Sequence, residues 1–375
     1  MTRLTHPVVF MRGGTSKGLF FHERDLPSAP DERDQFLLQA MGSPDPYGRQ
    51  LNGMGGGISS LSKIIIVRPS QRADADIEYC HGQVAVDRPV IDYSANCGNL
   101  SSAVGPFAID EGLFSPTTDG EALIRLHNLN SGVRIDARIP LRDRLFEPDG
   151  DFVMPGVAGT GARIALEYLT DDSSGPMFPT GHASETMRLH DGRSCRVTLV
   201  SVSLPCVFVH ADEVGLRATM SPAEIEADHT AMARLEEIRR EAGIRMGLAA
   251  SIDDVPLATP KVGIVGTPAD YVALNGAAVA KRDADIVVRM ISVGQPHKAV
   301  PLTAAMTLAA ACLVPGTVPN ACPNGASSGG LGPLVRIGTP SGVLSVGAVL
   351  RDQPTPAVAR TIAYATARRL MEGRV

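Results

Sequence analysis

The sequence predicts an α+β fold of two similar lobes, each a strand-rich layer around one nearly apolar helix. Three observations point to it. Glycine and proline are abundant, 38 and 28 of 375 residues, which favours turns and short strands over a helical bundle. The chain is too long for one ordinary core, so two domains are expected. The same order of elements also occurs twice. Strand-turn-strand at Val8 to Phe21 matches Val197 to Val209, and Lys63-Ile64-Ile65-Ile66-Val67 matches Lys261-Val262-Gly263-Ile264-Val265. The strand, turn and apolar helix around Cys97 match Ile286 to Leu313. The agreement is in order and spacing rather than identity.

Taken in order, Val8-Val9-Phe10-Met11 and Leu19-Phe20-Phe21 read as strands flanking the turn Arg12-Gly13-Gly14-Thr15-Ser16-Lys17-Gly18. That turn offers backbone N–H groups, hydroxyls and two cations, which suits a carboxylate or phosphate. It equally suits a tight hairpin that needs positive φ. It is not a phosphate-binding loop of the Gly-Lys-Ser/Thr kind, since that order is missing. Arg33 to Met41 is amphipathic. Asn52 to Ser62 is a glycine- and hydroxyl-rich loop that leads to Lys63, at the mouth of the strand Ile64–Val67. A lysine there is either a salt-bridged edge residue or a group for anion binding or base chemistry. Asp76 to Val86 alternates like a half-buried strand, and Pro89 to Tyr93 reads as another. Strands follow at Leu123–Asn128 and Val133–Pro140. The stretch 171–181 is a polar break, and a domain boundary is expected near Met187, giving lobes of 1–187 and 188–354. In the second lobe, Ser221-Pro222-Ala223-Glu224 is a capping box opening a helix to about Ala242. Strands are expected at Pro260–Gly266 and Ala284–Ile291, with an apolar helix over Leu302–Leu313. Thr355-Pro356, with Val358, Ile362 and Ala365 at helical spacing, predicts a terminal helix over about 355–373 that docks back on the first lobe.

The strongest single feature is Asn96-Cys97-Gly98-Asn99-Leu100. It stands between a strand-like run and a short uncharged helix, Leu100 to Ile109. A cysteine at a helix N-terminus meets free backbone N–H groups and the positive end of the dipole. Such a thiol suits proton transfer or nucleophilic attack; the plainer reading is a small buried cysteine under a turn. If both apolar helices begin at one cleft, their N-termini favour a substrate with several carboxylates.

Composition narrows the function classes. Net charge is −5 and no basic stripe occurs, which argues against nucleic acid as the main partner. The six cysteines, Cys80, Cys97, Cys195, Cys206, Cys312 and Cys322, contain no C-x-x-C pair. A disulfide framework or zinc site is not expected, and a reducing cytoplasm fits. The nine histidines lack metal-site spacing. No stretch is apolar for long enough to span a membrane, and the N-terminal apolar run is too short for a signal peptide. The cluster Gly329-Gly330-Leu331-Gly332 lacks the context of a nucleotide site and reads as a turn.

Several long motifs resemble one family. They are Met11-Arg12-Gly13-Gly14-Thr15-Ser16-Lys17-Gly18; Gly42-Ser43-Pro44-Asp45-Pro46-Tyr47-Gly48; Gly53-Met54-Gly55-Gly56 with Ser59-Ser60-Leu61-Ser62-Lys63; and Asn96 to Leu100 with Ala103 to Ala108. Together they resemble the PrpF family of 2-methylaconitate cis–trans isomerases, which has the diaminopimelate-epimerase-like fold. The resemblance runs on through His297-Lys298-Ala299, Pro315-Gly316-Thr317 and Leu370-Met371-Glu372-Gly373. It implies two pseudo-symmetric half-barrels, each wrapped on a central helix, and cofactor-independent movement of a proton along an allylic system beside carboxylates. It maps the acid/base residues onto Lys63 and Cys97 without deciding which is the base. The second cysteine used by amino-acid epimerases of this fold has no counterpart between His297 and Met306. The substrate-binding groups expected are Arg12, Gly13, Gly14, Thr15, Ser16, Lys17, Ser60, Ser62, Asn96, Gly98, Asn99, His297, Lys298 and Thr303. Relatives often carry Asn-Pro where this chain has Leu204-Pro205, so 4-oxalomesaconate tautomerase and 3-methylitaconate isomerase chemistry stay open beside 2-methylaconitate. No cofactor or metal is expected, and the expected partner is a small polycarboxylate. A homodimer and an accessory role beside an aconitase-like dehydratase are the other partner readings left open.

Overall fold

In the computed structural model, the residues described are 5–94, 96–170, 175–257, 259–292, 294–322, 327–329 and 331–375. The chain forms two compact units, Met1–Leu169 with Tyr364–Val375, and Thr170–Ala363.

In the first unit β1 (Pro7–Gly13) and β2 (Ser16–His22) form an antiparallel hairpin, with Val9 opposite Phe20. β2 runs parallel to β3 (Lys63–Pro69), with Leu19 beside Ile64. β3 is antiparallel to β4 (Ile77–Val84), and this register sets Lys63 opposite Gln83. β4 runs parallel to β5 (Glu121–Asn128), followed antiparallel by β6 (Arg134–Arg142) and β7 (Ile164–Leu169). α1 (Pro30–Met41) precedes β3, and α2 (Gly98–Asp110) precedes β5. Leu100, Ala103, Val104, Phe107 and Ala108 of α2 are all buried, because strands β1, β2, β3, β6 and β7 pack around it. A helix apolar all round can exist in water only when so enclosed.

The second unit repeats this plan. β8 (Ser194–Ser201) and β9 (Pro205–His210) form an antiparallel pair. α3 (Pro222–Ala227) and α4 (His229–Arg245) lead to β10 (Lys261–Gly266), which runs parallel to β9. β11 (Ile286–Ser292) is antiparallel to β10. After α5 (Leu302–Cys312), β12 (Gly332–Thr339) runs parallel to β11, and β13 (Gly342–Leu350) and β14 (Val358–Ala365) follow antiparallel. α5 packs on β8, β9, β12 and β13, and its residues 304–311 are buried. Each unit is thus a strand-rich layer around one central helix, with the same alternation of parallel and antiparallel neighbours. The expected internal duplication is present in the topology.

Four expectations need correction. The terminal helix over 355–373 is instead β14 and a last strand, β15 (Ala367–Arg374), which pairs with β1. Val358, Ile362 and Ala365 are buried as expected, but so are Thr361, Ala363 and Tyr364 between them, as in a strand covered on both faces. The units divide at Leu169/Thr170 rather than near Met187, because Glu185–Arg188 already pairs with β8. The helix opened by Ser221 breaks at Asp228, which caps a second helix beginning at His229. Only Ile91–Asp92 of the run Pro89–Tyr93 is strand. Gly330 and residues 171–174 of the polar break lie outside the described residues. No helix among the described residues is long and apolar enough to cross a membrane.

Candidate active site

Cys97 is the N-cap residue of α2, with extended backbone (φ −108°, ψ 98°). Its carbonyl accepts from Ser101 N and from Ser101 Oγ, both at 3.0 Å. Beneath the turn, Tyr79 Oη donates to Asn96 Oδ1 (3.1 Å) and hydrogen-bonds Ser101 Oγ (2.6 Å). Burial pushes the Tyr79 hydroxyl up, so it stays a neutral strut. Tyr168 Oη donates to Gly98 O at 3.2 Å. The backbone of the turn is therefore fixed from below. Among the described residues no side chain caps α2, so the N–H groups of Gly98, Asn99 and Leu100, which geometry leaves without intrahelical partners, are available to a ligand. The helices α3 and α4 contrast with it. Ser221 accepts from Glu224 N at 3.2 Å while Glu224 reaches back to Ser221 N, and Asp228 accepts from Ala231 N at 2.9 Å.

Lys63 is the first residue of β3 and only 8 % exposed. Its ammonium donates to Gln83 Oε1, its neighbour across the strands. Gly18 links this strand head to the start of α2. A Cβ built on Gly18 would lie 2.6 Å from Lys63 O and 3.1 Å from Leu100 Cδ1. A side chain there would force the Lys63 backbone away from the first turn of α2. Cys97 carries 8 % exposure, matching Lys63, so both side chains are nearly enclosed.

The turn from Arg12 to Lys17 is joined to the same helix. Thr15 N donates to Asn99 Oδ1 (3.3 Å), and Gly14 N donates to Thr366 O (3.0 Å). Gly14 has φ +53°, and a Cβ there would strike Asn99 Oδ1 at 2.2 Å, so only glycine fits. Arg12 donates to Gly14 O and Thr366 O at 3.0 and 2.8 Å; burial, reinforced by Arg368, holds its guanidinium below the usual value. The cation of Lys17 sits over the Phe10 ring. These contacts change the expected role of the turn: the N–H groups of Gly14 and Thr15 are already engaged within the protein, and α2 presents the open ones. The hydroxyls of Thr15, Ser16 and Ser60 make no hydrogen bond among the described residues. Ser62 is a correction. It is fully buried, its Oγ donates to Val84 O (3.0 Å) and accepts from Gln50 Nε2 (2.7 Å), so it braces the loop and has no hydroxyl to offer a substrate.

In the second unit, Lys261 heads β10 and donates to Ser292 Oγ at 2.8 Å; burial lowers its ammonium. His297 Nδ1 accepts from Ala299 N (3.0 Å), and burial lowers the imidazole. Lys298 is exposed, with its carbonyl accepting from Ser341 Oγ. Thr303 lies in the first turn of α5, half-buried. The N-cap of α5 is Pro301, so no thiol stands there; Cys312 is the last helical residue. Cys206 is pushed up to about 12 by burial and remains a thiol. A cavity of about 190 Å³ lined by Thr170, Met177, Ser201 and Arg351 contains none of the predicted site residues; chemistry rather than volume marks the site.

Gln50, Tyr79 and Gln83 escape sequence reading. Each is a polar residue in an otherwise ordinary pattern, and its role exists only once loops and registers are set. Gln50 is 1 % exposed, donates to Ser43 Oγ and Ser62 Oγ, and accepts from Gly57 N.

Known proteins resemble this chain along nearly its whole length. The PrpF protein family matches residues 3–375. A 2-methyl-aconitate isomerase of Shewanella oneidensis is 38 % identical over 381 aligned positions, covering 98 % of this chain and 95 % of the relative. A crystal structure of methylitaconate-delta-isomerase superposes with a TM-score of 0.87 at 35 % identity, covering 99 % of this chain and 95 % of the other. A hydroxyproline epimerase from Agrobacterium vitis matches at TM-score 0.54 and 14 % identity over 100 % and 93 %, a likeness of fold alone. The chain belongs to the PrpF family and is an isomerase.

Proposed function

We propose that this protein is a cofactor-independent isomerase of a small unsaturated polycarboxylate, with 2-methylaconitate as the first choice of substrate. The reading is supported most by one observation: a lysine and a cysteine, each almost enclosed, stand at a strand head and a helix N-cap joined through Gly18. One of Lys63 and Cys97 takes a proton from the carbon allylic to the double bond. The electron pair of that C–H bond becomes a dienolate spread onto a carboxylate. The former double bond is then single and rotates, and a proton is returned, so no atom is gained or lost. Return at the same carbon gives cis–trans isomerisation; return at the far end shifts the double bond. The N–H groups of Gly98, Asn99 and Leu100 are the donors suited to the developing charge, roughly 3–4 kcal/mol for a well-placed one. His297, Lys298 and Thr303 are proposed as further carboxylate contacts. The similarity to a 2-methyl-aconitate isomerase favours that substrate; a cytoplasmic role in propionate degradation is part of the same proposal.

The test is turnover by the purified protein alone. Incubated with 2-methylaconitate, 3-methylitaconate and 4-oxalomesaconate separately, it should isomerise 2-methylaconitate with the highest kcat/KM by NMR. No turnover of any of them, without cofactor, would refute the reading.

A further inference from the structure

We infer that Gln83 is the positioning residue for Lys63, holding its Nζ by one N–H so that the remaining valences face away from the sheet. This rests on the reading of Lys63 given above. Gln83 Nε2 donates to Ser59 O (3.1 Å) and Ser62 O (2.9 Å), two groups that can only accept. Flipping the amide would set an oxygen against two carbonyls and an NH2 against an ammonium, so one orientation remains. Gln83 Oε1 therefore always presents lone pairs to Nζ. Lys63 must donate there whether it is an ammonium or a free amine, and a free amine's lone pair is consequently turned elsewhere. A lysine on its own has four rotatable bonds and a point charge with no preferred direction. The lock on Gln83 removes that freedom at the atom that moves the proton.

The lock is itself built in. Ser62 O also accepts from Val84 N (3.0 Å), and Ser62 is tied to the loop by Gln50. Gln50 in turn is seated by Gly57 N (2.9 Å), with no room at Gly55, where a Cβ would lie 2.2 Å from Gln50 Oε1. The glycine loop from Gly53 to Gly57 thus acts on Lys63 through Gln50, Ser62 and Gln83. The second unit repeats the pairing at the same register: Lys261 heads its strand and donates to the cross-strand Ser292. Both units thus give the strand-head lysine a cross-strand acceptor, and in the first unit that acceptor is an amide of fixed orientation. Glutamine supplies this acceptor without a charge; a carboxylate would tether Nζ equally well but would hold its proton.

Three variants test this: Gln83→Met, which keeps the length and removes the acceptor; Gln83→Glu, which keeps an acceptor and charges it; and Lys63→Met. Folding is checked by thermal unfolding and circular dichroism. Gln83→Met should lower kcat by about 10–100-fold with KM within about twofold of wild type, since positioning acts in the transition state. Gln83→Glu should move the limb of the pH–rate profile that depends on Lys63 to higher pH, a change that simple loss of sheet contacts does not produce. Folded Gln83 variants with wild-type kcat and pH profile would overturn the inference. If Gln83→Met does not fold, the pH profile of Gln83→Glu alone decides. Full activity in Lys63→Met would instead overturn the reading of Lys63 itself.

Discussion

The two units share one topology and differ in what they place at equivalent points. Each has a central strand headed by lysine, and each has a central helix that no side chain among the described residues caps. In the first unit the helix N-cap is Cys97; in the second it is Pro301. In the first unit Asn99 reaches out to hold the hairpin turn at Thr15 N. In the second the hydroxyl of Thr307 does the same for Ser203 N and Leu204 N, at 3.3 and 3.2 Å. The lysine partner is Gln83 in one and Ser292 in the other. The duplicated scaffold thus keeps its packing and, among the described residues, its uncapped helix starts in both copies, while the thiol stands at the helix start of one copy. The two copies are thus asymmetric, with a thiol at one helix N-cap and a proline at the other.

The largest effect should come from breaking that asymmetry. Lys63→Met or Cys97→Ser should each lower kcat by about 10²–10⁴-fold, whereas Lys261→Met, at the equivalent strand head of the unit with no thiol at its helix N-cap, should lower it far less, as measured by steady-state isomerisation. Next come the two hairpin turns. Gly14→Ala should destabilise the protein by about 2–3 kcal/mol in urea unfolding, from the positive φ and the clash with Asn99. Its structural counterpart, Thr307→Val, should cost about 1–2 kcal/mol, because two N–H groups of the second turn lose their acceptor. The smallest effect concerns pH. Burial lowers His297, so the folded state prefers the neutral ring and binds fewer protons than the unfolded chain below its ordinary value. That contribution is present above about pH 6.5 and is lost as pH falls. The drop in urea midpoint from about pH 7.5 to about 5.5 should be smaller in His297→Gln than in wild type.

Local signals carried a large part of this into the sequence. The start of α2 is legible because glycine and asparagine after Cys97 interrupt a strand and an uncharged run follows. Lys63 stands out because a charge rarely heads an otherwise apolar strand. The duplication is legible in the order of elements, since each unit must build the same layer around the same kind of helix. The tail is not. Val358, Ile362 and Ala365 fit a helical stripe, and a strand buried on both faces gives the same apolar residues in so short a run. What decides is an unpaired edge of β1, more than 350 positions away, which β15 fills. Gln83 and Ser62 are hidden for a related reason. Their roles follow from the β3–β4 register and the course of the glycine loop, and periodicity specifies neither.

The central claim is that Lys63 and Cys97 move the proton between them. It is tested most directly by incubating 2-methylaconitate in D2O with the wild-type protein and with the Lys63→Met and Cys97→Ser variants, and following deuterium at the allylic carbons by NMR. The account predicts that wild type incorporates solvent deuterium as it isomerises, and that each variant loses isomerisation by about 10²-fold or more. Exchange and isomerisation at wild-type rates in both variants would contradict it.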